Sequence, residues 1–188
     1  MFYKFIDLPN LTQLQSDVLD FVNSPEFALE PNETHSIRFA NLWQHVQSVV
    51  DAVETICAWQ HVRYIAFATT PARTFGLFPH KDSLSDDTEY AWALNIPIAN
   101  WSRTYVNFYH LKNQIAGSTH MHGQNMYQYP CTTFDKQDVE LIETVCLDRP
   151  AFFNTREIHS PVNFSPNPRL IISVRFHVDL RKYKLGLV

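Results

Sequence analysis

The segment RLIISVRFHV, residues 169–178, decides the fold of the chain around it. Leu170, Ile172 and Val174 recur at every second position, and alternate side chains of a β-strand project from opposite faces of its sheet. The segment therefore predicts a strand with one apolar face and one mixed face. The arginine that opens it, Arg169, either lies at the rim in water or is buried against an anion, because an unpaired buried guanidinium is costly.

Other segments of similar composition occupy the second two thirds of the chain. β-Branched and aromatic residues, which favour strands, concentrate at 62–69, 90–98, 104–109 and 151–154. The first sixty residues instead have apolar residues three or four apart, which predicts amphipathic helices over 11–22 and 37–59. The polar stretch 136–146 fits either a helix or a loop with a short strand.

The predicted helices come first and the short strands follow, without regular β-α alternation. This order is typical of an α+β fold. We expect an antiparallel β-sandwich or barrel that is buttressed by N-terminal helices. At 188 residues the chain has the length of one ordinary domain. The predicted division is helical support over residues 1–61 and a β-rich core over residues 62–188.

The composition argues against several classes of function. The net charge is −4 and no run of Lys or Arg stands out, so nucleic-acid binding is disfavoured. No stretch approaches the roughly 20 apolar residues of a membrane helix, and the N-terminus lacks the pattern of a signal peptide. We therefore expect a cytoplasmic protein without membrane association. Cys57, Cys131 and Cys146 form no CxxC pair and are expected to be reduced, buried thiols.

Two histidines and one aspartate form the candidate metal site. In the stretch FPHKD, His80 and Asp82 are two positions apart, so both project from one face if the segment is extended, as its proline favours. His159 follows the predicted strand at 151–154, and Arg169 comes ten residues after it. Two imidazoles and one carboxylate on one side of a metal, with open positions opposite, suit iron(II) in an oxygenase.

The order His-x-Asp, distal His and then Arg resembles the iron(II)- and 2-oxoglutarate-dependent dioxygenases, which are built on a double-stranded β-helix, a cupin-like jelly roll. The stretches PAFFNT at 150–155 and HSPVN at 159–163 are most similar to the aspartyl/asparaginyl β-hydroxylase-like branch. Some members of that branch lack the acidic ligand that Asp82 supplies, so the prolyl-hydroxylase-like branch is the alternative. The resemblance covers residues 62–178.

The resemblance implies a role for each of these residues. His80, Asp82 and His159 would be the catalytic iron ligands, and Arg169 would bind the distal carboxylate of 2-oxoglutarate. Arg175 is the alternative for that second role, because the family's Arg-x-Ser pattern is absent and the chain has SVR instead. With O₂ as the further reactant, the implied reaction is oxidation, most simply hydroxylation, of an amino acid, a peptide side chain or a small metabolite.

Other polar residues of the predicted strands are secondary candidates. Asn95 would hydrogen-bond the co-substrate or iron-bound water, or else satisfy nearby backbone groups. Tyr105, Asn107 and Tyr109 share one face of a strand, and they either pack in the sandwich or line a substrate pocket.

Two other functions would use the same residues. A zinc hydrolase also needs two histidines, an aspartate and a position for water, but Glu157 is the only nearby general base and Arg169 would have no role. A non-catalytic, cupin-like binding module would use the pocket without chemistry. His120 and His122 are rival ligands, but the glutamate of a cupin site is missing near them. We expect that pair in a polar loop, at a substrate entrance or simply exposed.

Overall fold

The computed structural model describes residues 1–25, 27, 34–37, 46–75, 78–82, 91–122 and 129–187. Within these residues there are two α-helices, α1 (Leu11–Val22) and α2 (Gln47–Glu54). Short 3₁₀ turns lie at Trp59–His61, Lys136–Asp138 and Leu180–Lys182. The strands of the described residues are β1 (Tyr3–Phe5), β2 (Thr34–Ile37), β3 (Val62–Thr70), β4 (His80–Lys81), β5 (Trp92–Ala99), β6 (Thr104–Leu111), β7 (Ser118–His122), β8 (Tyr129–Thr133), β9 (Val139–Val145), β10 (Ala151–Asn154), β11 (Ile158–Asn163) and β12 (Arg169–Phe176).

The strands form two six-stranded sheets. The first sheet has the order β1-β10-β5-β12-β3-β2, and the second has the order β7-β8-β4-β11-β6-β9. Neighbouring strands are antiparallel in both sheets. Two antiparallel sheets whose neighbours are mostly distant in sequence are the architecture of a jelly roll. The predicted α+β fold with a double-stranded β-helix core is therefore confirmed.

The larger apolar core lies between the first sheet and the two helices. α1 contributes Leu14 and Val18 to it, at 1% and 0% exposure, and β12 contributes its apolar face. Full burial of one such aliphatic side chain is worth about 1.5–3 kcal/mol. The helix-facing side of β12 therefore fixes this strand firmly in the middle of its sheet, between β5 and β3. The buried residues that β12 places in this core are Leu170, Ile172, Val174 and Phe176.

The opposite face of β12 turns towards the second sheet. Four of its side chains line a cavity between the sheets, and they are Arg169, Ile171, Ser173 and Arg175. A smaller apolar core closes the sandwich beside this cavity, and its buried members are Val106, Phe108, Val145, Leu147, Ala151 and Phe153. The strict alternation along β12 thus separates a packing face from a cavity face, as the sequence pattern predicts.

The N-terminal third differs from its prediction. Helix α2 covers only residues 47–54 of the predicted helix over 37–59, and Ile37 belongs to β2 instead. Residues 38–45 lie outside the described residues. β2 pairs with β3, with Ile37 opposite Ile65, so strand pairing overrides the helical spacing there. Residues 1–61 also supply β1 and β2 to the first sheet in addition to helical support.

Two polar segments of the C-terminal half are strands. The stretch 136–146 is a 3₁₀ turn followed by β9, and the loop expected around His120 is β7. β9 lies at an edge of the second sheet and exposes most of its residues. An edge strand of that kind lacks the alternating apolar pattern that identifies a half-buried strand.

The composition of the chain leads to expectations about membrane-spanning helices and about the three cysteines. None of the helices in the described ranges is long and apolar enough to cross a membrane. Cys57 and Cys131 are buried, and Cys146 is partly buried; all three are free. Burial raises the pKa of Cys57 to about 11 and that of Cys131 to about 12, so both remain unreactive thiols at neutral pH.

Candidate metal centre

Strand pairing places the two histidines of the candidate site side by side. β4 and β11 are antiparallel neighbours, and their register sets His80 directly opposite His159. Residues that face each other in an antiparallel pair project from the same side of the sheet. The two imidazole rings therefore meet, with their centroids 4.4 Å apart.

Each imidazole is oriented by the same kind of hydrogen bond. Nδ1 of His80 lies 2.9 Å from the carbonyl oxygen of Phe78. Nδ1 of His159 lies 2.8 Å from the carbonyl oxygen of Glu157. A carbonyl oxygen only accepts, so Nδ1 is the donor in both rings, and each neutral imidazole carries its lone pair on Nε2. Proteins orient metal-binding histidines in this way.

Asp82 completes the group from just beyond β4. Its backbone N–H donates to the carbonyl oxygen of Thr155 at 3.0 Å, which fixes the chain beside β11. Its Oδ1 lies 3.4 Å from Nε2 of His80, and its Oδ2 lies 3.9 Å from Nε2 of His159. One possible ligand atom from each of the three residues lies within 4.8 Å of the other two.

This group fits a divalent cation. The two Nε2 lone pairs and the carboxylate of Asp82 are all acceptors, and Oδ1 is buried without a hydrogen-bond partner among the described residues. Buried acceptors that face one another are stabilised by a proton or a metal ion between them. Two imidazoles and one carboxylate with an open side are typical ligands of non-haem iron(II), and zinc accepts the same set.

The surroundings give two of the three groups the protonation state that metal ligands require. Burial opposes ionisation of Asp82, but Arg175 and the two histidines outweigh it and hold the pKa of the carboxyl well below its usual range. Burial and the neighbouring His80 lower the pKa of His159 to about 4. For His80, burial acts downwards, but Asp82 prevails and raises its pKa. At neutral pH Asp82 is ionised and His159 is neutral, and His80 is the group at which a proton would compete with a bound cation.

A cavity of about 300 Å³ extends from this group between the two sheets. Ala66 and Ala68 on β3 line one wall of the cavity, and their small side chains leave its volume open. On the other side, Phe153 packs edge-on against His159 with ring centroids 4.6 Å apart. Val106 and Pro161 add further apolar lining. The size and the mostly apolar walls suit a small ligand that is oriented by a few polar groups.

Arg169 lines the same cavity from the start of β12. Its side chain is buried, and Nε and Nη1 have no hydrogen-bond partner in the described part of the chain. Burial lowers the pKa of Arg169 to about 10, so the guanidinium stays charged at neutral pH. A buried cation with unsatisfied N–H groups indicates an anionic ligand, and the planar fork of a guanidinium matches a carboxylate.

Arg175 lines the cavity six residues further along the same face, about 20 Å away along an extended strand. Its Nη2 donates to Oδ2 of Asp82 at 2.7 Å, and its Nε donates to Oγ of Ser173 at 3.1 Å. Arg175 therefore lies at the candidate metal group, and Arg169 lies towards the other end of the strand. The sequence carries no sign of the contact between Arg175 and Asp82, which are 93 positions apart.

Two further candidates also reach the cavity. Asn95 lines it, and its Oδ1 is buried without a hydrogen-bond partner among the described residues. Strand pairing sets Ser173 opposite Asn95. His120 lines the cavity from β7 as an exposed residue, and the side chain of His122 lies outside what the structure describes.

The polar face of β6 is directed away from the cavity. Tyr105, Asn107 and Tyr109 are not among the cavity-lining residues, whereas Val106, on the alternate face, is. The hydroxyl of Tyr109 contacts that of Ser160 at 3.0 Å and accepts from Asn107 Nδ2 at 3.2 Å. These side chains therefore belong to the outer face of the second sheet.

One residue that positions the site is missing from the candidates that the sequence suggests. Asn163, at the end of β11, is fully buried, and its Nδ2 donates to three carbonyl oxygens, those of Thr70, Pro71 and Asn167. The side chain ties the turn that leads into Arg169 to the end of β3. An asparagine within NFSPNP is a turn signal, and asparagine side chains commonly bond the nearby backbone. That composition is the signal by which the residue could have been found.

Comparison with models of known families and with curated proteins finds no match. Solved structures do match. The non-heme alpha-ketoglutarate-dependent carbocyclase SnoK from nogalamycin biosynthesis gives a TM-score of 0.52 at 15% identity, over 93% of this chain and 78% of its own. A prolyl hydroxylase in complex with a hypoxia inducible factor peptide fragment, from Trichoplax adhaerens, gives 0.50 at 10% identity, over 99% and 87%. This chain therefore shares its fold with these two enzymes, which is the fold that the sequence resemblance implies.

Proposed function

We propose that this protein is an iron(II)- and 2-oxoglutarate-dependent oxygenase that hydroxylates an amino acid, a peptide side chain or a small metabolite. One observation carries the proposal: a single cavity contains both a His-Asp-His group and a buried arginine, Arg169, whose Nε and Nη1 have no hydrogen-bond partner among the described residues. Either feature alone is compatible with several classes of protein. Together they fit a metal and a metal-binding acid with a second, remote carboxylate.

In this proposal, His80, Asp82 and His159 hold iron(II) from one side of the cavity. Both rings already have Nδ1 bound to backbone carbonyls, so the Nε2 atoms are oriented before a metal arrives. When bound, iron(II) with 2-oxoglutarate and O₂ supplies the oxidation of a C–H bond, coupled to the conversion of 2-oxoglutarate to succinate and CO₂. The protein fixes the positions of the reactants and limits access of water.

Arg169 binds the carboxylate of 2-oxoglutarate that is remote from the metal. Arg169 lies at the start of β12, away from Asp82, whereas Arg175 is already bonded to the carboxylate of Asp82. The amide oxygen of Asn95 would accept a hydrogen bond from water beside a bound metal, which would account for its buried Oδ1, without a hydrogen-bond partner among the described residues. Phe153 and Val106 exclude bulk water from the space between these polar groups.

The test combines binding and turnover. Anaerobic addition of Fe(II) and 2-oxoglutarate to the metal-free protein should produce a visible charge-transfer band, and admission of O₂ should release succinate. His80→Ala and Asp82→Ala should abolish both signals because each removes a metal ligand. Arg169→Gln should keep the band but require far more 2-oxoglutarate to form it. His110→Ala, an exposed histidine of β6, is the matched control and should behave as the wild type.

Two results would contradict the proposal in different ways. Metal-dependent hydrolysis that is indifferent to 2-oxoglutarate and O₂ would indicate a zinc hydrolase. The structure offers that reaction little support, since Glu157 is not a cavity-lining residue. Ligand binding that survives Asp82→Ala, without any succinate release, would indicate a binding module. If the proposal holds, a panel of free amino acids, peptides and small metabolites in the succinate assay identifies the class of substrate.

A further inference from the structure

A second cleft lies at the β7 edge of the second sheet. It has a volume of about 380 Å³ and lies between residues 115–118, which lead into β7, and residues 133–138, which end β8 and continue into the next turn. The two segments approach closely because residue 117 is a glycine. A Cβ atom at Gly117 would lie 2.6 Å from the carbonyl oxygen of Thr133, closer than real Cβ atoms come. The cleft is therefore formed by segments that pack tightly against each other.

Three residues line both this cleft and the cavity between the sheets, and they are Phe78, His120 and Thr133. Two of them are in direct contact with a candidate metal ligand. Thr133 is the partner of His80 in the pairing of β4 with β8, and the carbonyl oxygen of Phe78 accepts a hydrogen bond from Nδ1 of His80. The cleft therefore borders the part of the cavity that contains the His-Asp-His group.

The charged side chains of the cleft are acidic. Asp135 and Asp138 are the only Asp, Glu, Lys or Arg residues among the described residues that line it. Neither carboxylate forms a hydrogen bond or an ion pair with another described residue. Lys112 and Lys136 are close by, but neither lines the cleft, and Nζ of Lys112 donates to the carbonyl oxygen of Gln137 at 2.8 Å. The cleft thus presents two carboxylates to whatever enters it.

The cavity between the sheets has the opposite charge. Its described lining includes Arg169 and Arg175 but a single acidic residue, Asp82. An anionic co-substrate is therefore attracted to the cavity and repelled from the cleft, whereas a cation has the reverse preference. Two ligands of opposite charge can in this way occupy neighbouring sites without competing for the same one.

Phe78 adds an aromatic surface at the border of the two spaces. Its side chain is 65% exposed, which is unusual for a phenylalanine next to a candidate metal ligand. The face of an aromatic ring attracts a cation, and carboxylates form charge-assisted hydrogen bonds with ammonium and guanidinium groups. A phenyl ring and two carboxylates in one cleft together favour an organic cation.

The cleft is close enough to the metal group for one molecule to reach both. Cα atoms of partners in an antiparallel pair are at most about 5.5 Å apart, which applies to His80 and Thr133. Asp135 follows Thr133 by two residues, a span of at most about 7 Å. The Cα atoms of Asp135 and His80 are thus within about 13 Å of each other. That distance suits a molecule as long as arginine, or a basic side chain that a peptide presents.

We propose that this cleft is the substrate site of the oxygenase, and that it selects a substrate with an ammonium or guanidinium group. Asp135 and Asp138 bind the cation, Phe78 contacts it or the chain beside it, and the carbon to be oxidised extends past Phe78 and His120 towards the His-Asp-His group. The inference rests on the proposed function and names the class of its substrate. A free basic amino acid and the basic side chain of a peptide carry the same chemistry, and the test separates these two sources.

The experiment measures succinate release with Fe(II), 2-oxoglutarate and O₂ in the presence of matched pairs of probes. Nα-acetyl-arginine amide is paired with Nα-acetyl-citrulline amide, which has nearly the same shape without the charge, and Nα-acetyl-lysine amide is paired with its Nε-acetylated form. Nα-acetyl-glutamate amide is the anionic probe. Free arginine and a capped pentapeptide with a central arginine distinguish a small-molecule source from a peptide source. Cationic probes should stimulate succinate release, and their neutral and anionic counterparts should not.

The variants test the site itself. Combined replacement Asp135→Asn and Asp138→Asn should raise KM for the best cationic probe about tenfold, since each partly exposed ion pair accounts for a few-fold. It should leave kcat and KM for 2-oxoglutarate within about twofold of the wild type, because the carboxylates contribute binding only. Phe78→Leu keeps an apolar side chain without the ring and should raise KM about two- to fivefold. Glu140→Gln removes a nearby exposed carboxylate that does not line the cleft, and it should behave as the wild type.

Several outcomes would overturn the inference and leave the proposed function standing. In each of them the charge-transfer band with Fe(II) and 2-oxoglutarate still forms. They are equal stimulation by the citrulline probe, a KM that the double replacement does not change, an equal effect of Glu140→Gln, and no stimulation by any cationic probe. Absence of the charge-transfer band in the wild type would instead mean that the proposed function fails, and the inference with it.

Discussion

Replacement of Arg169 by methionine should make the ligand-free protein more stable while it removes the binding of 2-oxoglutarate. The guanidinium is buried, and its Nε and Nη1 have no hydrogen-bond partner in the described part of the chain. A methionine of similar length keeps the apolar contacts of the side-chain stem and removes the charge. The substitution therefore separates the requirement of folding from the requirement of binding.

The magnitude follows from the pKa of Arg169. Burial lowers it from 12.5 to about 10, and at about 1.36 kcal/mol per pH unit this difference corresponds to roughly 3 kcal/mol of lost stabilisation of the charged form. Removal of the charge should recover this free energy, and imperfect packing of the methionine side chain should offset part of the recovery. We therefore expect the free energy of unfolding to rise by about 1 to 3 kcal/mol, in line with replacements of other buried charges by apolar residues.

Arg175→Met is the matched control, on the same face of the same strand. It should have the opposite sign, because it leaves the buried carboxylate of Asp82 without its strongest partner. Breaking such a pair costs about 3–5 kcal/mol when it is fully buried. The Arg175 side chain is 16% exposed, so a loss of about 2 to 4 kcal/mol is expected.

The assay is urea unfolding of both variants and the wild type, in EDTA and again with Zn(II) and 2-oxoglutarate. Ligand at a hundred times its dissociation constant stabilises a protein by about 2.7 kcal/mol. The wild type should gain this amount and Arg169→Met should not. The difference in the free energy of unfolding between the two proteins should therefore become smaller or change sign when ligand is added. A loss of about 1 kcal/mol or more in EDTA for Arg169→Met would refute the reasoning, since it would mean that the guanidinium is paired inside the ligand-free protein.

Two further predictions concern pH and packing. Zinc affinity should fall as the pH is lowered, and the fall should begin above the ordinary histidine pKa of 6.5, because Asp82 raises the pKa of His80 and a metal must displace that proton to bind. Zinc titrations between about pH 6 and pH 8 check this expectation. An affinity that does not change over this range would contradict it. His159 should not contribute in that range, since its pKa is lowered to about 4. Ile172→Ala should cost about 2–5 kcal/mol in urea unfolding, because Ile172 is fully buried on the helix side of β12. Its affinity for 2-oxoglutarate should stay within about threefold of the wild type, and a large loss would show that the two faces of β12 are coupled.

Local patterns in the sequence identify the central strands well. Alternation in RLIISVRFHV and the β-branched run from Val62 both reappear as long strands of the first sheet. These segments are half-buried, so one face must be apolar and the period of two is visible. β9 lacks that visible period, because it is an exposed edge strand with a register shift opposite Phe108 and Tyr109. Edge strands with exposed faces are under weaker hydrophobic constraint.

The site is accessible from sequence only in part. That His80 and Asp82 project together follows from local geometry, and the choice of His159 follows from its position after the predicted strand at 151–154, to which the family resemblance adds support. The opposition of His80 and His159 depends on the pairing of β4 with β11, and no local rule specifies such a long-range register. The same holds for Arg175, which the sequence offers as an alternative to Arg169, whereas the structure places the two at different ends of one cavity face. Arg175 is bonded to the carboxylate of Asp82, whereas Nε and Nη1 of Arg169 have no partner among the described residues. This difference depends on the tertiary structure and is not visible in the sequence.

The position of both arginines is nevertheless set by the hydrophobic core. A slip of β12 by one residue would turn its whole cavity face towards the helices and its apolar face into the cavity. Burial of Leu170, Ile172 and Val174 against the helices opposes that slip, and the two register shifts of β12 lie near its ends, between Leu170 and Ile171 and between Arg175 and Phe176. The spacing of the two arginines is thus held by apolar packing on the opposite face. A strand that buries the charge of Arg169, whose Nε and Nη1 have no partner among the described residues, needs such an anchor, since that charge destabilises the strand until an anion binds.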